Sequence, residues 1–306
     1  MSIVYLTYQQ IDKQKWDACI QLAVNRLIYA RSFYLDEMAE NWDAIVLNDY
    51  EAVMPLTWKK KWGIAYLYQP AFLQQGGIFY TKDLSSTILQ SFIDQAFSHF
   101  KFAETTFNYL NKPGEINNGH IALRNNFILS LQASYDEISK KFSGGTIKNI
   151  KRAANRGLQY QSQPQYLNLL TLYQELYGER LPYFLQNDYR NFSSICKKLA
   201  EQNNLISRTV TNNKDEIIAG CIILKDNNRL YNMVSCVTIE GRKEEANYFL
   251  YNSLIKEFSN SAYLLDFEGS DIKGIADFYK GFTPENEPYP FVKMNNLHPL
   301  IKIFKQ

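Results

Sequence analysis

The sequence predicts an α/β (α+β) protein made of two halves, each a mixed, largely antiparallel sheet flanked by helices. Three observations predict it. The 306 residues exceed one small domain, at roughly 150 residues per domain. Helix-period and strand-period segments are intermixed and do not follow a regular strand-helix-strand alternation. The order helix, meander, loop, helix, strand also occurs twice along the chain.

The stretch from Met1 to Tyr8 lacks the basic region, apolar core and cleavage site of a leader and reads as a first strand. A helix follows near Asp12 to Ala23, where Trp16, Cys19, Ile20 and Ala23 recur on one stripe. Ala44 to Leu47 and Ala52 to Leu56 flank Asn48, Asp49, Tyr50 and Glu51, whose Asn and Asp tolerate turn geometry, so the two runs form a hairpin. Further strands are expected at Ala65 to Tyr68 and Gly77 to Tyr80. A helix from about Ser86 to Phe100 carries Ile88, Leu89, Phe92, Ile93, Ala96 and Phe97 on one face, with Ser85 or Ser86 as its cap. A strand from Ala103 to Tyr109 closes the first half.

Between Tyr135 and Gly157 the composition shifts to Ser, Gly, Lys and Arg, and Gly144-Gly145 precedes a short helix with Ile147, Ile150 and Ala154. The boundary is placed there, giving domains 1–143 and 144–306. Gly157 falls where a left-handed residue ends a helix. After a strand from Leu158, helices are expected at Tyr166 to Tyr177 and Asn187 to Gln202. Leu205 to Val210, Ile217 to Leu224 and Leu230 to Val237 then form an antiparallel meander. A helix from about Ala246 to Phe258 and a strand from Tyr263 to Phe267 complete the repeat.

Hydrophobic residues make up 46% and charged residues 21%, which argues for a chain folded throughout. A net charge of +2 points to no nucleic-acid or membrane partner by itself. No apolar run reaches the roughly 18 residues that would span a bilayer, and a cytoplasmic protein is expected. Cys19, Cys196, Cys221 and Cys236 form no C-x-x-C pair and have only His99, His120 and His298 beside them, so buried thiols and no metal site are expected. A phosphate loop of the form G-x-x-x-x-G-K-S/T, a G-x-G-x-x-G turn, a G-x-S-x-G elbow and an H-E-x-x-H helix are all missing.

The stretch from Thr238 to Asn247 lies between a strand and an amphipathic helix. Bare amides and the partial positive charge of a helix N-terminus suit an anion such as pyrophosphate. Gly241, Arg242, Lys243, Ala246 and Asn247 are the candidate donor-binding residues. The competing reading is a polar connection in which Glu244 and Glu245 are favourable first-turn acids. Lys140, Lys141, Lys148, Lys151, Arg152 and Arg156 form a basic set that serves either an anionic ligand or only solvent.

Several stretches together resemble the FemAB-like branch of the acyl-CoA N-acyltransferase (GNAT) superfamily. Lys148 to Gly157 is similar to its interdomain R/K-x-x-I-x-x-A-x-x-x-G segment. Asp266 to Ser270 resembles its D-F-x-G strand end, and Ile275 to Phe282 its following F-K-x-x-F helix. Pro55 to Gly77 resembles the first-domain core of related bacterial proteins. In that superfamily the strand-loop-helix at Thr238 to Asn247 holds the donor pyrophosphate on a Q/R-x-x-G-x-G/A pattern. Here Gly241 and Ala246 stand with Arg242 and Lys243, and there is no second glycine.

The resemblance implies two fused GNAT-like domains and transfer of an acyl or aminoacyl group from acyl-CoA or aminoacyl-tRNA to an amine. The donor is a co-substrate, and no tightly bound cofactor is implied. The acceptor is a small molecule or peptide, such as a cell-wall precursor. Lys280 matches the family's motif lysine, a cation near the acyl carbonyl or an acceptor phosphate. Asp266 and Glu268 alternate on a strand end, where they would bind or deprotonate the acceptor ammonium, the alternative being a salt-bridged strand terminus. Trp58, Lys59, Tyr66, Gln69, Gln74 and Gln75 are the candidate acceptor residues, with core packing as the alternative. Two other functions fit the same sequence: a non-catalytic binding module for a peptide or cell-wall precursor, and an RNA-binding protein using the basic interdomain segment.

Overall fold

The structure, a computed structural model, describes residues 2–268 and 271–298. The chain forms two compact units, Met1–Arg124 with Pro288–Gln306, and Asn125–Glu287.

The first unit begins β1 (Ile3–Leu6), α1 (Lys13–Leu22), α2 (Ser32–Met38), β2 (Asn41–Leu47) and β3 (Ala52–Lys61). It continues with β4 (Ile64–Leu67), β5 (Phe79–Tyr80), α3 (Ser86–His99), β6 (Phe102–Thr106) and β7 (Gly119–Arg124). The Asp12 carboxylate accepts from the Gln14 and Lys15 amides and so starts α1, whose Trp16, Cys19 and Ile20 are buried at the expected spacing. Ser85 caps α3 in the same way through the Ile88 amide. The β2–β3 hairpin turns through Asn48 and Tyr50, both in the left-handed region at φ 49° and 63°. The expected strand at Gly77 to Tyr80 shortens to β5, and α2 had no distinct periodic signal.

The second unit begins β8 (Phe127–Ser130), α4 (Tyr135–Ser139), α5 (Gly144–Ala154), β9 (Gln159–Gln161), α6 (Tyr166–Tyr177) and α7 (Gln186–Glu201). The meander β10 (Leu205–Thr211), β11 (Ile217–Asp226) and β12 (Arg229–Val237) follows. Then come α8 (Ile239–Lys243), α9 (Ala246–Phe258), β13 (Leu264–Asp266), α10 (Lys273–Lys280) and β14 (Glu285–Asn286). Gly157, at φ 69°, takes the left-handed conformation just past α5, as its position predicts. The chain then returns to the first unit as β15 (Tyr289–Asn295), which pairs antiparallel with both β6 and β7.

The internal repeat is visible in the strand orders, β1-β2-β3-β4-β6 in one sheet and β9-β10-β11-β12-β13 in the other. Among the described residues only β4·β6 and β12·β13 pair in parallel, so both sheets are mixed and largely antiparallel. Each is completed by strands from elsewhere in the chain, β15 and β7 beyond β6, β8 and β14 beyond β13.

The compact units divide the chain differently from the expected boundary at 143/144. Leu264, Leu265 and Asp266 pair with Ser130, Leu129 and Ile128, which places β8 in the second sheet. Ile138, Phe142, Ile147 and Ile150, from α4 and α5 and the turn between them, pack into the second core with Leu250, Leu254 and Phe282. A separate core in the first unit gathers Ile45, Leu56, Phe92, Phe107 and Met294.

Candidate active site

In the second sheet β12 and β13 are paired only at Arg229 to Tyr231 against Leu264 to Asp266. Beyond that point β12 runs on to Val237 while β13 ends, so one edge of β12 faces a fork with no strand on it among the described residues. Its pairing with β11 slips between Ile222↔Val234 and Ile223↔Asn232, making Met233 an extra residue that bends β12 where the fork opens.

Phe267, Tyr251 from α9 and Tyr279 from α10 converge beside this bend, with ring centroids 4.7 Å apart for Phe267 and Tyr279 and 5.8 Å for the two tyrosines. The Asn232 side-chain amide donates to the Tyr251 hydroxyl at 2.7 Å and to the Tyr279 hydroxyl at 3.3 Å. These bonds fix the orientation of the amide, and its Oδ1 is then buried with no hydrogen-bond partner among the described residues. Burial pushes the Tyr279 phenol up to about 12, against the opposing pull of hydrogen bonds from Tyr251, Ser235 and Asn232. Burial likewise lifts Tyr251 well above the usual phenol range. Tyr279 is therefore un-ionised near neutral pH, with its hydroxyl beside three polar groups.

The C-terminal end of β12 leads through α8 into α9, so the N-terminus of α9 lies at the end of the strand where the fork opens. Gly241 has a different role from the one its motif suggests. Its amide donates to Thr238 Oγ1 at 2.9 Å, and a Cβ there would meet the Ile218 carbonyl oxygen at 2.2 Å. The glycine lets α8 lie on β11 and offers no amide to a ligand. Ala246 is fully buried at the first position of α9, and Arg242 and Lys243 are exposed. The N-cap of α9 is Glu245, left-handed at φ 59° and with no side-chain cap bond; Tyr248 and Phe249 donate to its carbonyl, and the Ala246 and Asn247 amides have no acceptor among the described residues. Asn247 Oδ1 is buried there and also lacks a partner among the described residues.

Glu245 and Glu244 pair instead with Arg152 at 3.8 Å and Arg156 at 3.3 Å. The basic helix α5 and the turn before α9, read separately in the sequence, are thereby brought side by side.

The carboxylates do not act as a pair on one face. Asp266 is 1% exposed, and its Oδ2 accepts from Arg229 Nε and Nη2, both at 2.7 Å. Its Oδ1 accepts from the Glu268 amide at 2.9 Å. Arg229 also reaches Glu287, and although burial opposes its charge, the Asp266 and Glu287 carboxylates hold the guanidinium firmly protonated. Asp266 thus sits in the salt-bridged strand terminus that was its alternative. Glu268 lies past the strand at φ 62°, where the alternation assumed for the two residues no longer holds. Lys280 is exposed, with Nζ 5.7 Å from the centroid of the Phe127 ring. Gly269 and Ser270, the end of the D-F-x-G stretch, lie outside the described residues.

The candidate acceptor residues use most of their polar atoms within the first unit. Trp58 Nε1 donates to Asp43 Oδ2 at 2.9 Å. Lys59 Nζ sits 3.7 Å from Glu40 and 4.4 Å over the Tyr68 ring. Tyr66 meets Phe102 edge-on at 6.1 Å. Gln69 donates to the carbonyls of Leu73 and Gln74 at 2.7 and 2.9 Å. Fully buried Gln75 donates to Gln74 Oε1 and accepts from the Tyr109 amide. The cavity beside Gln75 measures about 10 Å³, room for no more than one water. This packing is the alternative given for these residues.

Sequence reasoning passed over Tyr279, Tyr251 and Asn232. Tyr279 lies inside the motif-bearing helix from Ile275 to Phe282, but nothing local distinguishes it among 22 tyrosines. All four cysteines are buried and unbridged. Among the described residues no helix is long and apolar enough to cross a membrane, and no group of His, Cys, Asp and Glu is arranged to hold a metal.

No protein-family model matches the chain, and no curated protein sequence matches it. Solved structures do. FemX is similar over 100% of both chains with a TM-score of 0.65 at 14% identity. A tandem GNAT protein from the clavulanic acid biosynthesis pathway is similar with a TM-score of 0.56 at 9% identity, over 95% of this chain and 98% of that one. L-PGS from Bacillus licheniformis gives 0.53 at 11% identity, over 95% and 94%. The chain has the mixed α/β fold that these structures share, two GNAT-like sheets in tandem.

Proposed function

We propose that the second unit transfers an acyl or aminoacyl group from a phosphorylated carrier, acyl-CoA or aminoacyl-tRNA, to the amine of a small molecule or peptide. The observation that carries this reading is the Asn232–Tyr251–Tyr279 cluster, a hydrogen-bonded phenol buried where the strands part. Acyl transfer needs an anchored carrier, a stabilised oxyanion and a proton for the leaving group.

Each need has a group beside the fork. Arg242, Lys243 and the first amides of α9 hold the carrier's phosphate. Backbone N–H groups on the open edge of β12 from Asn232 onward receive the oxyanion. As the amine attacks the carbonyl, the new N–C bond forms and the C–S or C–O bond to the carrier breaks. Tyr279 gives its proton to the departing sulfur or oxygen. The amine's proton passes to Glu268, which follows Asp266 just past the end of β13. Lys280 offsets negative charge on the acceptor.

The aromatic filling of the fork by Phe267, Tyr251 and Tyr279 favours a second reading, a module that binds the same ligands without reaction. Incubating the purified protein with acyl-CoAs and charged tRNAs, together with a panel of amines, and detecting amides by mass spectrometry separates the two. Product formed by the wild type and lost in Tyr279→Phe is expected. Binding of a donor without any amide product establishes the second reading in place of the first.

A further inference from the structure

The proposed transfer makes no use of the outer face of α5. Gly144, Ile147, Lys148, Lys151, Arg152 and Asn155 line one open groove of about 480 Å³. Their spacing of three and four residues sets them along a single stripe of the helix, which at 1.5 Å per residue extends roughly 16 Å. Ala153, on another face, is fully buried, and Ile150 packs against the core.

The cations on this helix are in two states. Arg152 and Arg156 are balanced by Glu245 and Glu244. Lys148 and Lys151 are exposed, stand one turn apart and have no ion pair among the described residues. Like charges one turn apart repel along a helix, so the pair does not stabilise the fold. Gly144 is equally unexplained by packing, because a Cβ there would meet nothing within 4 Å and its φ is not positive. A side chain at that position would only narrow the end of the groove.

We propose that this groove is a phosphate-binding subsite, with Lys148 and Lys151 as its charged contacts. The Arg152–Glu245 ion pair ties it to the N-cap of α9. A ligand with phosphates in two places therefore engages both, one at the α9 amides and one on α5. Two sources supply that chemistry, a nucleotide carrier with a separate phosphate or the backbone of an RNA strand. The subsite stands whether or not acyl transfer takes place in the fork.

The test uses the full chain and Lys148→Glu combined with Lys151→Glu, with an unchanged unfolding midpoint showing that the variant is folded. Anisotropy of a labelled single-stranded RNA and calorimetry with coenzyme A are measured from about 50 to 200 mM KCl. The wild type is expected to bind at least one probe about tenfold or more tighter than the double variant, with a plot of log K against log salt for the RNA steeper by about 1.4, two contacts at about 0.7 each on a single strand. Loss confined to RNA assigns the groove to a strand, and loss confined to coenzyme A assigns it to a nucleotide phosphate. Equal affinities of wild type and variant for both probes, or binding of neither, overturn the proposal. Tyr279→Phe is expected to bind both probes as the wild type does, which keeps failure of this subsite distinct from failure of the transfer reading.

Discussion

Arg229 and Asp266 meet at 2.7 Å across the short parallel pairing of β12 and β13, so an ion pair closes the sheet just below the point where its strands part. The guanidinium is shared with Glu287, and both Arg229 and Asp266 are almost wholly buried. Asp266→Ala is expected to destabilise the protein by about 3 kcal/mol, because a buried cation loses its main partner. Urea unfolding measures this, and a change within about 0.5 kcal/mol would show that the pair contributes little.

Tyr279→Phe removes the proposed proton donor but keeps the ring that packs on Phe267. Turnover is expected to fall about 100-fold with donor affinity unchanged. Asn232→Ala should lower turnover less and move the alkaline limb of the pH profile upward, since one donor to the phenolate is gone. A large loss of donor affinity in either variant would place these residues in binding instead.

The raised phenol of Tyr279 also governs stability at high pH. Its folded pKa, about 12, lies above the unfolded value near 10, so its contribution is complete below about pH 10 and is lost as pH rises towards 12. Two pH units correspond to roughly 3 kcal/mol. Tyr279→Phe should show a shallower loss of unfolding free energy between pH 9.5 and pH 11.5, two sampling points set about that window. Equal slopes for both proteins would contradict the burial of an un-ionised phenol.

Burial alone pushes the Cys19 thiol up to about 12, and Cys236 is raised to about 12 as well, mainly by burial. The four cysteines should therefore react with a thiol reagent at pH near 8 only as fast as the chain unfolds. Rapid modification of any one of them in the native protein would show that its strand or helix opens locally.

Gly241→Ala should cost about 3 kcal/mol, because the new methyl group meets the Ile218 backbone carbonyl and no rotamer relieves it. Gly144→Ala, facing open space, is expected to be neutral or slightly stabilising in the same unfolding measurement.

Elements held together by neighbours in sequence were legible. The stripe of Trp16, Cys19 and Ile20, the hairpin around Asn48 and the helix end at Gly157 follow from periodicity and turn chemistry. β8 and β15 were not, because their place depends on partners in the other half of the sequence, Leu265 for Leu129 and Thr106 for Phe291. The site divides similarly. A helix N-terminus after a strand can be read from local residues, which is how Arg242 and Lys243 became candidates. That Asp266 belongs to Arg229, or that Asn232 joins two tyrosines from separate helices, depends on approach in space between groups 19 to 47 residues apart.

The return of β15 has an effect on the order in which the protein can be made. Among the described residues β7 has no sheet neighbour except β15, which also covers the outer edge of β6. A ribosome must therefore synthesise the whole of the second unit before the first sheet can be finished, and until then two strand edges stay open to mispairing. Damage near Tyr289 to Asn295 would accordingly be felt as misfolding of residues encoded more than 160 positions earlier.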